Sequence, residues 1–206
     1  MRPDMREKMR GQGENNMAEL LTLNAIRAHG PCESGWRKLL VRLGKTKADD
    51  APLSMLAVLD SNGLDDALWC LRCIKGRDGA IRMLACDFAQ EIAHFNADPR
   101  LRTAIDVARR HAVGDAADAE LNASYATAYA AARDAVRDAA WAASCAVSFA
   151  VVWDAAEAAA WATAYAAAHA ADGVAVREAA WWAAREASYG AQTAILRRWI
   201  IQQEAA

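Results

Sequence analysis

From Asp115 to Ala194, 36 of 80 residues are alanine, and Trp, Tyr, Arg and Asp interrupt the run at helical intervals. Alanine has the highest helix propensity because its methyl group loses no rotamer freedom and buries no polar atom. A stretch of this composition has little choice but to be helical. Its small faces let helix axes approach toward the short end of the roughly 8–10 Å range, with aromatic side chains filling the wider gaps. One helix from Asp118 to Ala171 would be about 80 Å long at the usual rise, too long for a compact domain. A break is therefore expected near Ser144 to Val152, where Ser, Cys, Val and Phe replace the Ala-Arg-Asp pattern. A second is expected at Asp172-Gly173, with a last helix from Val174 to Gln203. Arg133 and Arg137 alternate with Asp134 and Asp138 and read as a solvated stripe of i,i+4 pairs. Adjacent Trp181 and Trp182 lie about 100° apart around a helix, so one of them faces a second packing partner or solvent.

The part before the alanine-rich run, residues 17–113, has ordinary globular composition. Apolar residues at three- and four-residue steps predict a helix from Ala18 to His29, ended by Gly30-Pro31. A second helix, capped by Ser34, is expected through Leu43 and closed by Gly44. A third opens at Asp50 or Ala51 with Pro52 in its first turn, and Asn62-Gly63 breaks it. Further helices are expected from Leu64 to Ile74, from Asp78 to about Phe95, and from Asp98-Pro99 to His111. No stretch shows sustained period-two alternation, so no sheet is expected. Short turns between helices predict an all-α fold of stacked antiparallel helical hairpins, with long alanine-rich helices in the C-terminal half. Residues 1–16 read as a flexible leader and Met17 as an alternative start. Residues 17–206 read as a single helical domain with an ordinary half, 17–113, and an alanine-rich half, 114–206.

Charge and cysteine usage narrow the function classes. With 24 Lys+Arg against 26 Asp+Glu and a net charge of -2, there is no basic footprint for nucleic acid. No window has the continuous apolar length of a membrane span. The five cysteines, Cys32, Cys70, Cys73, Cys86 and Cys145, are odd in number and irregularly spaced. They read as free thiols in a reducing cytoplasm, not as a disulfide framework.

The chemical motifs are incomplete. Cys70-Leu-Arg-Cys73 is a CxxC with no second pair to complete a zinc site and no βαβ context for redox work, so buried small side chains are expected. Asp87, Glu91 and His94 share one helical face with di-iron spacing, but the motif occurs once where such sites need two. They would serve a metal-dependent hydrolase, or sit as a solvated acidic face. Gly44-Lys45-Thr46 lacks the earlier glycine and the strand of a phosphate loop. The four histidines are scattered, and two of them lie at helix C-terminal ends, where positive charge is favourable. No cofactor or metal is expected. Arg72, Arg77 and Arg82, with Arg100 on a later helix, are basic residues that read either as solvated helix ends or, where stacked hairpins bring some of them to one face, as a site for an anionic ligand or an acidic partner. Trp69 and Trp182 are the aromatic anchors that would accompany them.

The run Leu23-Asn24-Ala25-Ile26-Arg27-Ala28-His29, followed by Pro31-Cys32, Gly35-Trp36, Lys38-Leu39-Leu40 and Leu43 to Asp50, resembles a family of phage and prophage immunity proteins. The block Asn62-Gly63-Leu64-Asp65-Asp66-Ala67-Leu68-Trp69-Cys70-Leu71-Arg72 carries the resemblance most specifically, and the alanine-rich tail extends it by composition to about residue 200. The family is similar to the immunity proteins of polymorphic-toxin systems. The resemblance implies a non-catalytic protein of the bacterial host cytoplasm that neutralises a toxin or a host-defence component by stoichiometric binding. Sequestration of a nucleotide signal in an Arg/aromatic pocket is the alternative. The aromatic surplus of the alanine-rich half leads to the expectation of a homodimer. Arg72→Ala and Arg82→Ala are expected to weaken partner binding without loss of helicity, measured by affinity and by circular dichroism on the same samples.

Overall fold

Residues 21–92, 98–134 and 174–205 are described by a computed structural model. They form eight α-helices: α1 (Leu23–Ala28), α2 (Glu33–Leu43), α3 (Met55–Asn62), α4 (Leu64–Cys70), α5 (Asp78–Ile92), α6 (Pro99–Ala112), α7 (Asp118–Asp134) and α8 (Val174–Ala205), with a 3₁₀ turn at Leu71–Cys73. The fold is all-α, as the sequence predicts. No strand occurs among the described residues, only one isolated antiparallel bridge between Thr22 and Pro52. None of the described helices is long and apolar enough to cross a membrane.

Three helix starts differ from the sequence expectation, two of them for a local reason and the third through contacts with distant residues. Thr22 is extended and its hydroxyl accepts a hydrogen bond from Ala25 N at 3.0 Å, so α1 starts at Leu23. A capping hydroxyl satisfies a backbone donor that a longer helix would have used itself. Cys32, not Ser34, caps α2, with its Sγ accepting from Gly35 N at 3.3 Å. Pro52 does not enter a first helical turn. It is tied to the segment before α1, where Leu53 N donates to Leu21 O at 2.9 Å and Asn24 N to Asp49 O at 3.0 Å. The third helix therefore begins late, behind Ser54. The expected helix from Leu64 to Ile74 tightens into the 3₁₀ turn after Cys70. The leader, His94, Cys145 and the expected breaks near Ser144–Val152 and at Asp172-Gly173 lie outside the described residues, as do the side chains of Trp181 and Trp182.

Consecutive helices pack on one another: α2 on α3, α3 on α4, α5 on α6 and α6 on α7. Helix α8 returns from the far end of the chain and lies against α3, α4 and α5. Its last turns bury Ile195, Leu196, Trp199 and Ile200 in the same apolar core as Met55, Leu68, Leu84 and Phe88. The Trp199 indole N–H donates to Ala80 O at 3.1 Å, so its one polar atom is satisfied inside that core. An Arg197–Asp60 ion pair flanks the contact.

Glu204 finishes the docking. Its carboxylate accepts from Ser54 Oγ and from Met55 N, both at 2.9 Å, at the N-terminus of α3. A negative charge there meets the positive end of the helix dipole and an otherwise orphaned backbone donor. Glu204→Ala is expected to lower stability by about 2 kcal/mol, and Glu204→Gln by less because one acceptor remains. Urea unfolding followed by far-UV circular dichroism measures this, and an unchanged midpoint for Glu204→Ala means the clamp contributes nothing.

Candidate functional site

The Asn62–Arg72 block of the sequence forms one wall of a concave site between α2, α3 and α4. Gly63, at φ 97°, separates α3 from α4. The bend leaves Asn62 at the end of one helix and Asp66 in the first turn of the next. Asn62 Nδ2 donates to Asp66 Oδ2 at 2.7 Å and to Gly35 O at 2.8 Å, which ties α2 to both. The tie needs glycine at residue 35: a Cβ there would stand 2.6 Å from Asp66 Oδ2. Between the helices lies a cavity of about 80 Å³, lined by Trp36 and Leu39 of α2, Val58 and Asn62 of α3, and Asp66, Trp69 and Cys70 of α4, with Ile26, Pro31, Cys32 and Gly35 completing it.

Trp69 lines the cavity, and the Arg72 guanidinium lies over its ring at 4.6 Å from the centroid. Arg72 Nε also donates to Trp69 O at 3.0 Å, which orients the guanidinium plane. Arg72 is exposed and is not a lining residue, so the indole meets the cavity with a part that Arg72 leaves uncovered. A shallower groove lies on the other side of Trp36, bounded by Arg27, Pro31, Glu33, Thr46 and Lys47.

The other basic residues singled out in the sequence do different work. Arg77 reaches Gln203 Oε1 at 3.5 Å and so faces α8. Arg100 forms a bidentate pair with Asp98 at the start of α6, and this hydrogen bonding holds the Asp98 carboxyl below its usual range. Arg82 is only 7 % exposed, and burial lowers the pKa of its guanidinium. Arg82→Ala thus removes a buried side chain and acts on packing, so the helicity-neutral outcome expected from sequence applies to Arg72 alone. Of the six expected binding residues, Trp69 and Arg72 are joined in one contact, whereas the Trp182 side chain lies outside the described residues.

Trp36, Asn62 and Asp66 are cavity residues that sequence reasoning did not single out for binding. The signal for Asn62 and Asp66 was the density of distinctive residues in the Asn62–Arg72 block, which does not contain Trp36. The acidic trio falls apart: Asp87 pairs with Arg109 at 2.7 Å, Glu91 is exposed and His94 is outside the described residues. Among the described residues no group of three or more His, Cys, Asp or Glu side chains is placed to hold a metal ion.

The cysteines separate into two kinds. Cys32 is exposed at the N-terminus of α2, whereas Cys70, Cys73 and Cys86 are buried and free. Burial raises the pKa of all three buried thiols, to about 11 for Cys73 and Cys86 and higher still for Cys70. Near neutral pH they are protonated and poor nucleophiles. A thiol-reactive probe applied to native protein at pH 8 is expected to label Cys32 and leave Cys70, Cys73 and Cys86 untouched until the chain unfolds, as read by peptide mapping. The same shifts set an alkaline limit. Below pH 9.0, the ordinary thiol value, folded and unfolded chains both keep these protons. Above it the unfolded chain ionises first, so stability is expected to fall as pH rises from 9 toward 11, by up to about 1.4 kcal/mol per thiol per pH unit. Flat urea midpoints across that range would contradict the burial of the three thiols.

Compared with protein-family models, with curated proteins and with solved structures, the chain matches none.

Proposed function

We propose that this chain is a non-catalytic binding protein that neutralises a protein partner by stoichiometric capture, in an immunity or phage counter-defence role within a bacterial cytoplasm. The observation that carries the reading is the Arg72–Trp69 stack, exposed beside a cavity that the same indole lines. Trp and Arg are the side chains that most often dominate binding energy at protein interfaces. A guanidinium already held flat over an indole loses less freedom when a partner's carboxylate meets it. The immunity setting rests on the resemblance carried by Asn62 to Arg72, the same block that builds the cavity wall. The cytoplasmic setting rests on the free cysteines.

The cavity favours a protein partner over a nucleotide signal. Pockets that enclose ligands of nucleotide size span roughly 300–1,000 Å³. The cavity here holds about 80 Å³. A partner's side chain fits that cavity, whereas a nucleoside would have to lie in the adjoining groove of about 450 Å³.

Affinity capture from host lysate tests the proposal, with wild type, Trp69→Ala and Arg72→Ala run in parallel and the eluates extracted for small molecules. Wild type is expected to retain one protein in near-equimolar amount, and each variant to retain about tenfold less with helicity unchanged. Equal recovery by all three, or a nucleotide recovered without a protein, overturns the reading.

A further inference from the structure

Charge is distributed unevenly along this chain. Residues 23–49 carry six Lys or Arg against two acidic residues, a net of +4, in a protein whose total is -2. Two of the six cations are consumed locally, Arg37 by Glu33 and Lys45 by Asp49. Arg27, Lys38, Arg42 and Lys47 are exposed and enter no ion pair among the described residues, and the same holds for Arg72 beside Trp69. Arg27 and Lys47 flank the groove that meets Trp36 and Pro31, and those two residues also line the cavity. A basic groove and a cavity are thus continuous around one indole.

The cavity itself offers mainly hydrocarbon. Its polar side chains are turned on one another, since Asn62 bonds to Gly35 O and Asp66, and the Ser61 hydroxyl bonds to Asn62 Oδ1. The rest of the lining is mostly apolar, with Ile26, Leu39, Val58 and the two indoles, beside the Asp66 carboxylate whose Oδ2 accepts from Asn62. An apolar cavity of about 150 Å³ takes a benzene ring. One of about 80 Å³ is too small for an aromatic ring or a nucleobase and suits the branched tip of an aliphatic side chain.

We propose that this surface docks an acidic segment of the protein partner, which inserts one Leu, Ile or Val side chain into the cavity and lays Asp or Glu carboxylates against Arg27, Lys47 and Arg72. The proposal rests on the stoichiometric-binding reading and adds to it the place and the chemistry of the contact. Single-stranded nucleic acid shares the negative charge, but it carries no aliphatic branch to fill the cavity, and its bases exceed the space.

The test uses the full chain and fluorescein-labelled short peptides rich in Asp and Glu around a central Leu. Companion probes carry Ser for that Leu, or Gln for the acidic residues, and an oligothymidine of similar charge is the nucleic-acid arm. Binding is read by anisotropy at about 20 mM and about 300 mM salt, which brackets strong and weak screening. The Leu peptide is expected to bind at low salt, the Ser peptide at least about tenfold more weakly, and the Gln peptide and the oligonucleotide more weakly still. The double variant Arg27→Glu/Lys47→Glu, altered at exposed positions, is expected to lose the Leu peptide while keeping its circular dichroism spectrum. Equal binding of Leu and Ser peptides, tighter binding of the oligonucleotide, no binding of the Leu peptide, or no effect of charge reversal each overturns the proposal. The lysate capture keeps the two readings apart. If the charge-reversed chain still captures the wild-type partner while Trp69→Ala does not, stoichiometric binding stands and the acidic docking segment falls.

Discussion

The contact between the last turns of α8 and helices α3, α4 and α5 is the constraint on which the rest of the structure depends. Ile195, Leu196, Trp199 and Ile200 are buried among residues more than a hundred positions earlier in the chain. Each large apolar side chain contributes roughly 1.5–3 kcal/mol when fully buried. The closure entropy of so long a loop grows only logarithmically, so four such side chains outweigh it. The polar atoms brought along are satisfied where they land: Trp199 N–H on Ala80 O and the Glu204 carboxylate on Ser54 and Met55. With α8 against them, α3 and α4 are fixed in the position from which Asn62, Asp66 and Trp69 reach the cavity. A site formed by a 7-residue and an 8-residue helix would otherwise have little to hold it, since helices that short are not stable alone.

Helix content was legible in the sequence because several independent signals agreed. Asp98-Pro99 opened α6 and Gly44 closed α2 where expected. Of the helix starts that differed, those of α1 and α2 are set by local caps, and that of α3 by tertiary contact. Ser34, Cys32, Asp50 and Ser54 are all acceptable neighbours of a helix start by local chemistry. What selects Ser54 is Glu204 docking from the other end of the chain and Pro52 pairing with Thr22, and neither is visible within a local window. The same limit applied to the site. Trp69 and Arg72 are three residues apart on adjoining helical turns, so their contact follows from helical spacing. Trp36 meets Trp69 across the cavity only because three helices converge, and its apolar periodicity read as ordinary core. Arg82 sits on the inner side of α5, where periodicity alone could not distinguish a basic edge from a buried guanidinium.

The charged residues show a division of labour that composition conceals. Most ion pairs along the later helices are local or join neighbours: Arg100 with Asp98, Arg109 with Asp87, Arg110 with Glu120, His111 with Asp118. Exposed pairs of this kind add little to stability, on the order of 0–1 kcal/mol each. Their larger effect is to neutralise that surface. Among the described residues, the exposed cations that enter no ion pair include Lys38 and Arg42 on α2 with Arg27 and Lys47 beside it, and also Lys75, Arg102 and Arg198 elsewhere; residues 23–49 nonetheless carry a net of +4 in a chain whose total is -2. A molecule of that kind is oriented by an approaching charged partner before any contact forms, which raises the encounter rate more than the final affinity.

Affinity then has to come from elsewhere, and the dimensions of the site say how. One aliphatic side chain in a cavity of about 80 Å³ contributes at most the roughly 1.5–3 kcal/mol of its burial. Surface carboxylates on Arg27, Lys47 and Arg72 add about 1 kcal/mol or less apiece. Together these fall short of the more than 8 kcal/mol that micromolar binding requires. The proposed neutralising complex would therefore need the broader contact of an ordinary interface, about 800 Å² on each partner. The outer face of α2 is the surface that continues from the groove: Lys38 and Arg42 lie there with Val41, which is 75 % exposed. On this account the cavity fixes the register of the partner segment, the basic groove fixes its direction, and the outer face of α2 provides the area that holds it.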